Sequence, residues 1–168
     1  MIDIRPLTRS DAVAYASLRR HVAIESSIGL GLTFNEELAR PIKEFADQLA
    51  YPPPNLFLGA FDGDTLVATA GIARPTSRAS ATHKAVLRGV LTAPSHRGRS
   101  LARELSQRVI DHAFASGARR VYLYVYLPNG TAVRLYESMG FVTTGIEPEV
   151  VRLNGVYHDV QHMSLQHA

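Results

Sequence analysis

The sequence predicts an α/β (α+β) fold: a central mixed sheet of seven strands with about four helices on its two faces. Three observations predict it. Val121, Leu123 and Val125 alternate with Tyr122, Tyr124 and Tyr126, the period of a strand with one buried face. Leu101, Leu105, Val109 and Ala113 recur in steps of four, which stripes one side of a helix. That helix lies between two apolar strands, Lys84 to Thr92 and Arg120 to Leu127. A strand–helix–strand unit of this kind makes the two strands parallel neighbours with a right-handed connection.

The elements follow in order. Ile2 to Arg5 alternates as a short first strand. Ser10 or Asp11 caps a helix whose apolar side is Ala14, Leu18, Val22 and Ile24, and Ile28 to Gly31 ends it in a flexible loop. A second helical region runs from Asn35 to Tyr51 and is kinked or restarted at Pro41. Pro52, Pro53 and Pro54 form an extended connector. Asn55 to Phe61 and Thr65 to Ala73 make a hairpin around Asp62-Gly63-Asp64, and Arg74 to Thr82 is a polar loop. After the fourth strand the long helix closes at Gly117. Pro128 to Gly130 breaks the chain before a short helix from Thr131 to Met139. Phe141 to Thr143 is a sixth strand, and Val156 to Leu165 a seventh.

Totals narrow the classes. A chain of 168 residues suits one domain, residues 1–168, with a sizeable core. No apolar run approaches the ~18 residues of a membrane span, and the first residues lack a signal-peptide pattern. The chain has no cysteine, which excludes disulfides, zinc–thiolate sites and a cysteine nucleophile. A cytoplasmic protein without membrane partners is expected. The pI is 9.4, a value met in nucleic-acid binders and in enzymes that hold polyanions.

The basic charge is concentrated where the fourth strand becomes a helix. Arg88, Arg97, Arg99, Arg103 and Arg108 face a single carboxylate there, Glu104. A strand that turns through small residues into a helix leaves amide hydrogens free and adds the positive end of the helix dipole. Such a turn suits an anion. It lacks the Gly-Lys-Ser/Thr of a nucleotide P-loop.

Two motifs carry a resemblance. Arg97-Gly98-Arg99-Ser100-Leu101-Ala102 fits a signature of Arg or Gln, two free positions, Gly, one free position, then Gly or Ala, with Ser100 in place of the usual Gly. About 30 residues on, Asn129, Ala132, Leu135-Tyr136-Glu137 and Gly140-Phe141 fit a second segment of the same family. The chain resembles the GNAT superfamily of N-acetyltransferases. The resemblance implies acetyl-CoA, as acyl donor, between a splayed fourth and fifth strand, and no metal. Backbone groups of Val90 and Leu91 would pair with the pantetheine arm. The amides of Gly98, Arg99, Ser100, Leu101 and Ala102, with the side chains of Arg97 and Arg99, would hold the diphosphate.

Acyl transfer to an amine needs a donor for the developing oxyanion and an acid for the thiolate. The N–H of Leu91 is the expected donor. Tyr136 matches the family's acid and lies beside the cofactor; its alternative is a ring packed on the sheet. Asn129 is equally a helix cap and a cofactor contact. No carboxylate occupies the fourth strand, so the base is unassigned, with Glu25, His83 and His158 as candidates. His158 and His162 share a strand face but find no third metal ligand.

The expected activity is transfer of an acetyl group to a primary amine of a small molecule, a protein N-terminus or a lysine, in a ternary complex. By the resemblance the C-terminal strand lines the acceptor pocket or a homodimer contact. A non-catalytic CoA-binding regulatory domain is the alternative. A nucleic-acid module is weaker, because no recognition helix and no basic RNA-binding signature accompany the tyrosines.

Overall fold

The computed structural model describes residues 1–168. Seven strands form one sheet: β1 (Ile2–Pro6), β2 (Leu56–Asp62), β3 (Thr65–Ala73), β4 (Lys84–Thr92), β5 (Arg120–Tyr126), β6 (Val142–Leu153) and β7 (Val156–Gln166). Their order across the sheet is β1-β2-β3-β4-β5-β7-β6, and β4 and β5 form the parallel pair. The helices are α1 (Ala12–Glu25), α2 (Phe34–Ala39), α3 (Ile42–Leu49), α4 (Leu101–Ala115) and α5 (Gly130–Ser138). No helix is long and apolar enough to cross a membrane.

Each face of the sheet has its own core. On one side α4 lays Leu101, Leu105, Val109 and Ala113 over Val121, Leu123, Val125 and Met163, as the step of four predicts. On the other, Tyr15 of α1 and Phe45 of α3 pack on Phe57, Phe61, Leu66 and Leu91. Tyr15 meets Phe45 edge-on at 5.8 Å between ring centres. α4 closes with Gly117 N–H on Phe114 O and Ala118 N–H on Ala113 O, both 3.0 Å, a paired C-terminal cap.

The parallel pair is short. β4 and β5 are in register only at Lys84–Arg120, Ala85–Val121 and Val86–Tyr122, and then separate. The cause lies in β4. Gly89 has φ +62°, open to glycine without strain, and the β3–β4 register slips between Thr69 and Gly71. Thr69 Oγ1 donates to the Gly89 carbonyl at 2.7 Å and fixes this bulge. The bulge bends β4 away from β5, which opens the sheet beyond Val86.

Several expectations need correction. The buried side of α1 is Ala12, Tyr15, Ala16, Leu18, Arg19 and Ala23, while Ile24 is exposed, because Tyr15 takes the centre of the contact with Phe45 and Phe57. Asp11 stands at the N-cap of α1, but its side chain makes no bond into that helix and instead accepts from Thr8 N–H at 2.8 Å, closing the 3-10 turn ahead of it. Ile28 to Leu30 is a 3-10 turn rather than a featureless loop. The three prolines turn back through Asn55 N–H on Pro52 O, 3.2 Å, instead of running extended. The region around Pro41 is two helices, since the proline cannot continue the first. β6 is far longer than Phe141 to Thr143. It passes a bulge between Glu147 and Val151 and turns into β7 at Asn154-Gly155, both at positive φ, the two-residue turn of a tight hairpin.

Candidate active site

The opening between β4 and β5 leads into a cavity of about 770 Å³. It is lined by β4 and β5, the turn before α4 with that helix's first residues, one side of α5 and the end of α1 with the following 3-10 turn. Val90, Leu91, Arg97, Gly98, Arg99, Ser100, Leu101, Ala102, Asn129 and Tyr136 all line it. Residues 91 and 136 are separated by 45 positions, and only the parallel crossover brings them to one space.

The floor for an anion is the turn ahead of α4. Gly98 has φ +76° and Ser100 φ +59°, so the peptide planes curl into a concave nest. The first hydrogen bond into the helix is Glu104 N–H on Ser100 O, 3.0 Å, which leaves the amides of Leu101, Ala102 and Arg103 without an acceptor in the helix. Gly98, Arg99 and Ser100 likewise donate to no protein oxygen. A row of unmet amides on a 15-residue helix, beside Arg99, fits a diphosphate. Arg97 is turned elsewhere: its guanidinium donates to Glu25 at 2.7 Å. Arg103 lines the cavity while donating to Ser138 Oγ, and Arg108, outside the cavity, donates to Glu104 on the helix surface.

The strand edge corrects one assignment. Ala93 N–H donates to Val67 O at 2.7 Å, and Leu91 stands opposite Thr69 in the same register. In an antiparallel ladder every second residue is bonded to the partner strand. The amide and carbonyl of Leu91 therefore face β3. Those of Val90 and Thr92 face the opening. Leu91 contributes its position in the wall, not its N–H.

Tyr136 is buried between the two walls, its ring edge-on to Phe141 at 5.8 Å. Its hydroxyl makes no hydrogen bond within the chain, and burial pushes the phenol well above its ordinary pKa. The group therefore stays protonated. Asn129 Oδ1 accepts from Ala132 N–H at 3.3 Å, so it caps α5 while lining the cavity.

The candidate bases are scattered. Glu25 is held by Arg97. His83 is exposed at the closed end of β4, and its carbonyl accepts from Arg119 N–H. His158 Nδ1 donates to Leu127 O at 2.8 Å. His162 faces Glu147 at 3.2 Å. No group of three or more His, Asp or Glu that could hold a metal is present.

Residues the motifs did not single out complete the cavity: His96, Tyr124, Tyr126 and Ile28 with Gly29. The tyrosines were legible as the polar side of β5. The loop was not, since nothing in Ile28-Gly29 marks it as a wall.

Comparison with known proteins agrees with this geometry. Residues 27–141 match the acetyltransferase (GNAT) family model. The N-alpha-acetyltransferase RimI of Mycobacterium tuberculosis is 32% identical over 92% of this chain and 87% of its own length. A spermidine N(1)-acetyltransferase of Vibrio cholerae is 38% identical over 48% of this chain and 47% of its own. A GNAT acetyltransferase from Streptococcus pneumoniae superposes with a TM-score of 0.88 at 23% identity, covering 99% of this chain and all of that one. A Salmonella typhimurium acetyltransferase solved with its cofactor acetyl-CoA gives 0.79 at 22% identity, covering 100% and 96%. The unmet amides at the turn, the parted β4 and β5 and these matches lead to one conclusion: the chain belongs to the acetyltransferase (GNAT) family, as an N-acetyltransferase whose acyl donor is acetyl-CoA.

Proposed function

We propose that acetyl-CoA lies in the opening between β4 and β5 and that a primary amine takes its acetyl group there. The observation that carries this reading is the coincidence, in one cavity, of the unmet amides at the head of α4, the free edge of β4 and the protonated phenol of Tyr136. The amides of Gly98 to Ala102 and Arg99 hold the diphosphate. Val90 and Thr92, whose amides and carbonyls face the opening, pair with the pantetheine arm.

Acetyl-CoA supplies a thioester whose carbonyl carbon the neutral amine attacks, forming a C–N bond as the C–S bond breaks and CoA leaves as the thiol. The Val90 N–H meets the carbonyl oxygen as negative charge grows on it. Tyr136 gives its proton to the departing sulfur, and its raised pKa keeps that proton in place until the charge develops. The proton that the attacking nitrogen sheds returns through solvent to the Tyr136 phenolate, so the cycle closes with a neutral amide, the CoA thiol and a protonated tyrosine.

The named relatives act on different amines, a polyamine in one case and an N-alpha group in another, so their names do not choose an acceptor. All seven strands belong to one continuous sheet, which supports residues 1–168 working as a single domain. β6 is an edge strand with exposed Val142 and Ile146, which supports a homodimer. A donor available inside the cell and a chain free of cysteine support a cytoplasmic site of action.

Tyr136→Phe tests the reading. Release of free thiol should fall by about 10²-fold in kcat while the Kd for acetyl-CoA, measured by calorimetry, stays within about threefold. An unchanged kcat removes Tyr136 from the chemistry. A chain that takes up no acetyl-CoA removes the whole proposal.

A further inference from the structure

A second cavity, of about 440 Å³, opens on the tyrosine side of the sheet below the point where β4 and β5 part. Tyr124, half exposed, lines both cavities, so the two spaces abut at one ring. At the far end stands Lys84. Its ammonium lies 5.5 Å from the centre of the Tyr122 ring and meets no carboxylate, whereas Lys43, the other lysine of the chain, is paired with Asp47. At the near end Glu147 has one partner, His162, whose Nε2–H donates to it at 3.2 Å. The His162 ring stands edge-on to Tyr124 at 5.0 Å. The cavity thus holds a cation at one end and a carboxylate answered only by an imidazole at the other.

We infer that this cavity takes the acceptor, and that the acceptor is an α-amino acid or an analogue carrying both an amine and an anionic group. The inference rests on the acetyl-transfer reading above and names the substrate class of that site. The placement fits: Lys84 lies beside Tyr122 and the His162–Glu147 couple beside Tyr124, the next residue on the same face of β5, so a cation and a carboxylate flank one stretch of the cavity. The carboxylate of the amino acid meets Lys84. Its ammonium meets Glu147 and His162, gives up one proton to that couple, and the freed nitrogen lies beside Tyr124 at the edge of the donor cavity. The volume exceeds what the amino and carboxyl groups need, leaving room for a side chain against the tyrosines. A polyamine carries no group for Lys84 and is repelled by it.

The test is a turnover screen with acetyl-CoA, reading free thiol, against the proteinogenic L-amino acids, their α-amides and spermidine. Turnover of one or more amino acids at least about tenfold better in kcat/KM than of their amides or of spermidine is expected. Lys84→Met should then raise KM for the amino acid by about tenfold, with the acetyl-CoA Kd and the melting temperature unchanged, and Lys84→Arg should recover most of the loss. Glu147→Gln should lower kcat/KM by a similar factor. Amides or spermidine used as well as amino acids, or a Lys84→Met variant with unaltered KM, overturn the assignment. So does the absence of any amino-acid turnover by a protein that binds acetyl-CoA. Failure to bind acetyl-CoA overturns the donor reading itself.

Discussion

Arg97 Nη1 donates to Glu25 Oε2 at 2.7 Å, tying the turn before α4 to the C-terminal end of α1 across the rim of the donor cavity. The two side chains are 52% and 46% exposed, so the pair itself contributes little to stability. Its consequence is competitive. A diphosphate arriving at the turn must share Arg97 with Glu25 or take it from Glu25. Glu25→Gln should therefore leave the melting temperature unchanged and tighten acetyl-CoA binding by about two- to fivefold at low salt, with the gain shrinking as salt is added. Calorimetry at two ionic strengths checks this, and a weaker Kd would mean that Glu25 orients Arg97 instead of withholding it.

The ladder between β3 and β4 makes a prediction by proline. Thr92 aims its N–H at the opening, so Thr92→Pro removes a donor from the site without removing a sheet bond. Leu91 aims its N–H at β3, so Leu91→Pro removes the bond to Thr69 and should destabilise the fold by about 3 kcal/mol or more. Thermal melts and acetyl-CoA titration of the two variants should separate: one folded and weak in binding, the other unfolded or nearly so. A Thr92→Pro variant less stable than Leu91→Pro would place the ladder in the opposite phase.

Sequence alone gives the layers, the parallel crossover and the anion turn, because each is a local pattern: an alternation, a step of four, a run of small and basic residues. The direction of the Leu91 amide is not legible in the sequence for a specific reason. Which of Val90 and Leu91 turns its amide outward depends on the phase of pairing with β3, and the bulge at Gly89 resets that phase. A bulge leaves no mark beyond a glycine in a strand. The sequence reading ends β6 at Thr143, although Asn154-Gly155 signals a hairpin whose two arms must be of similar length. The acceptor-side cavity has no motif at all, since Lys84, Tyr124, Glu147 and His162 meet only through register across β4, β5, β7 and β6.

Ser100 stands at φ +59° at the mouth of α4, where the family signature usually has Gly. A left-handed conformation costs a non-glycine residue about 1 kcal/mol, and strain of this kind gathers where a backbone is held for a ligand. Ser100→Gly should relieve it, raising stability by up to about 1 kcal/mol and leaving the acetyl-CoA Kd equal or lower. Ser100→Val, β-branched at the same φ, should destabilise the free protein and weaken binding together. Melting curves with and without acetyl-CoA report both quantities. A Ser100→Gly protein no more stable than the parent would show that the turn is relaxed as it stands.

The support of α1 against α2 depends on one buried ion pair. Glu37 is fully buried and takes both arms of the Arg19 guanidinium, at 2.6 and 2.9 Å, with Arg40 at 3.5 Å. Burial alone would raise the Glu37 pKa; the hydrogen bonds and charge of Arg19 outweigh it and hold the carboxyl below its ordinary value. Such a pair adds little over a well-packed apolar pair, yet breaking it strands a charge in the core. Glu37→Ala should therefore cost about 3–5 kcal/mol. Arg19→Met with Glu37→Leu should cost clearly less than Glu37→Ala alone, since neither charge is left behind. The sign of the pH effect follows from the lowered pKa. The contribution of Glu37 is present above its unfolded-state pKa and is lost as pH falls below it, so the gap between parent and double variant should narrow in acid. Denaturant melts of the parent and both variants at neutral and acidic pH measure this, and a double variant as unstable as Glu37→Ala would mean that the pair's shape, not its charge, holds α1 to α2.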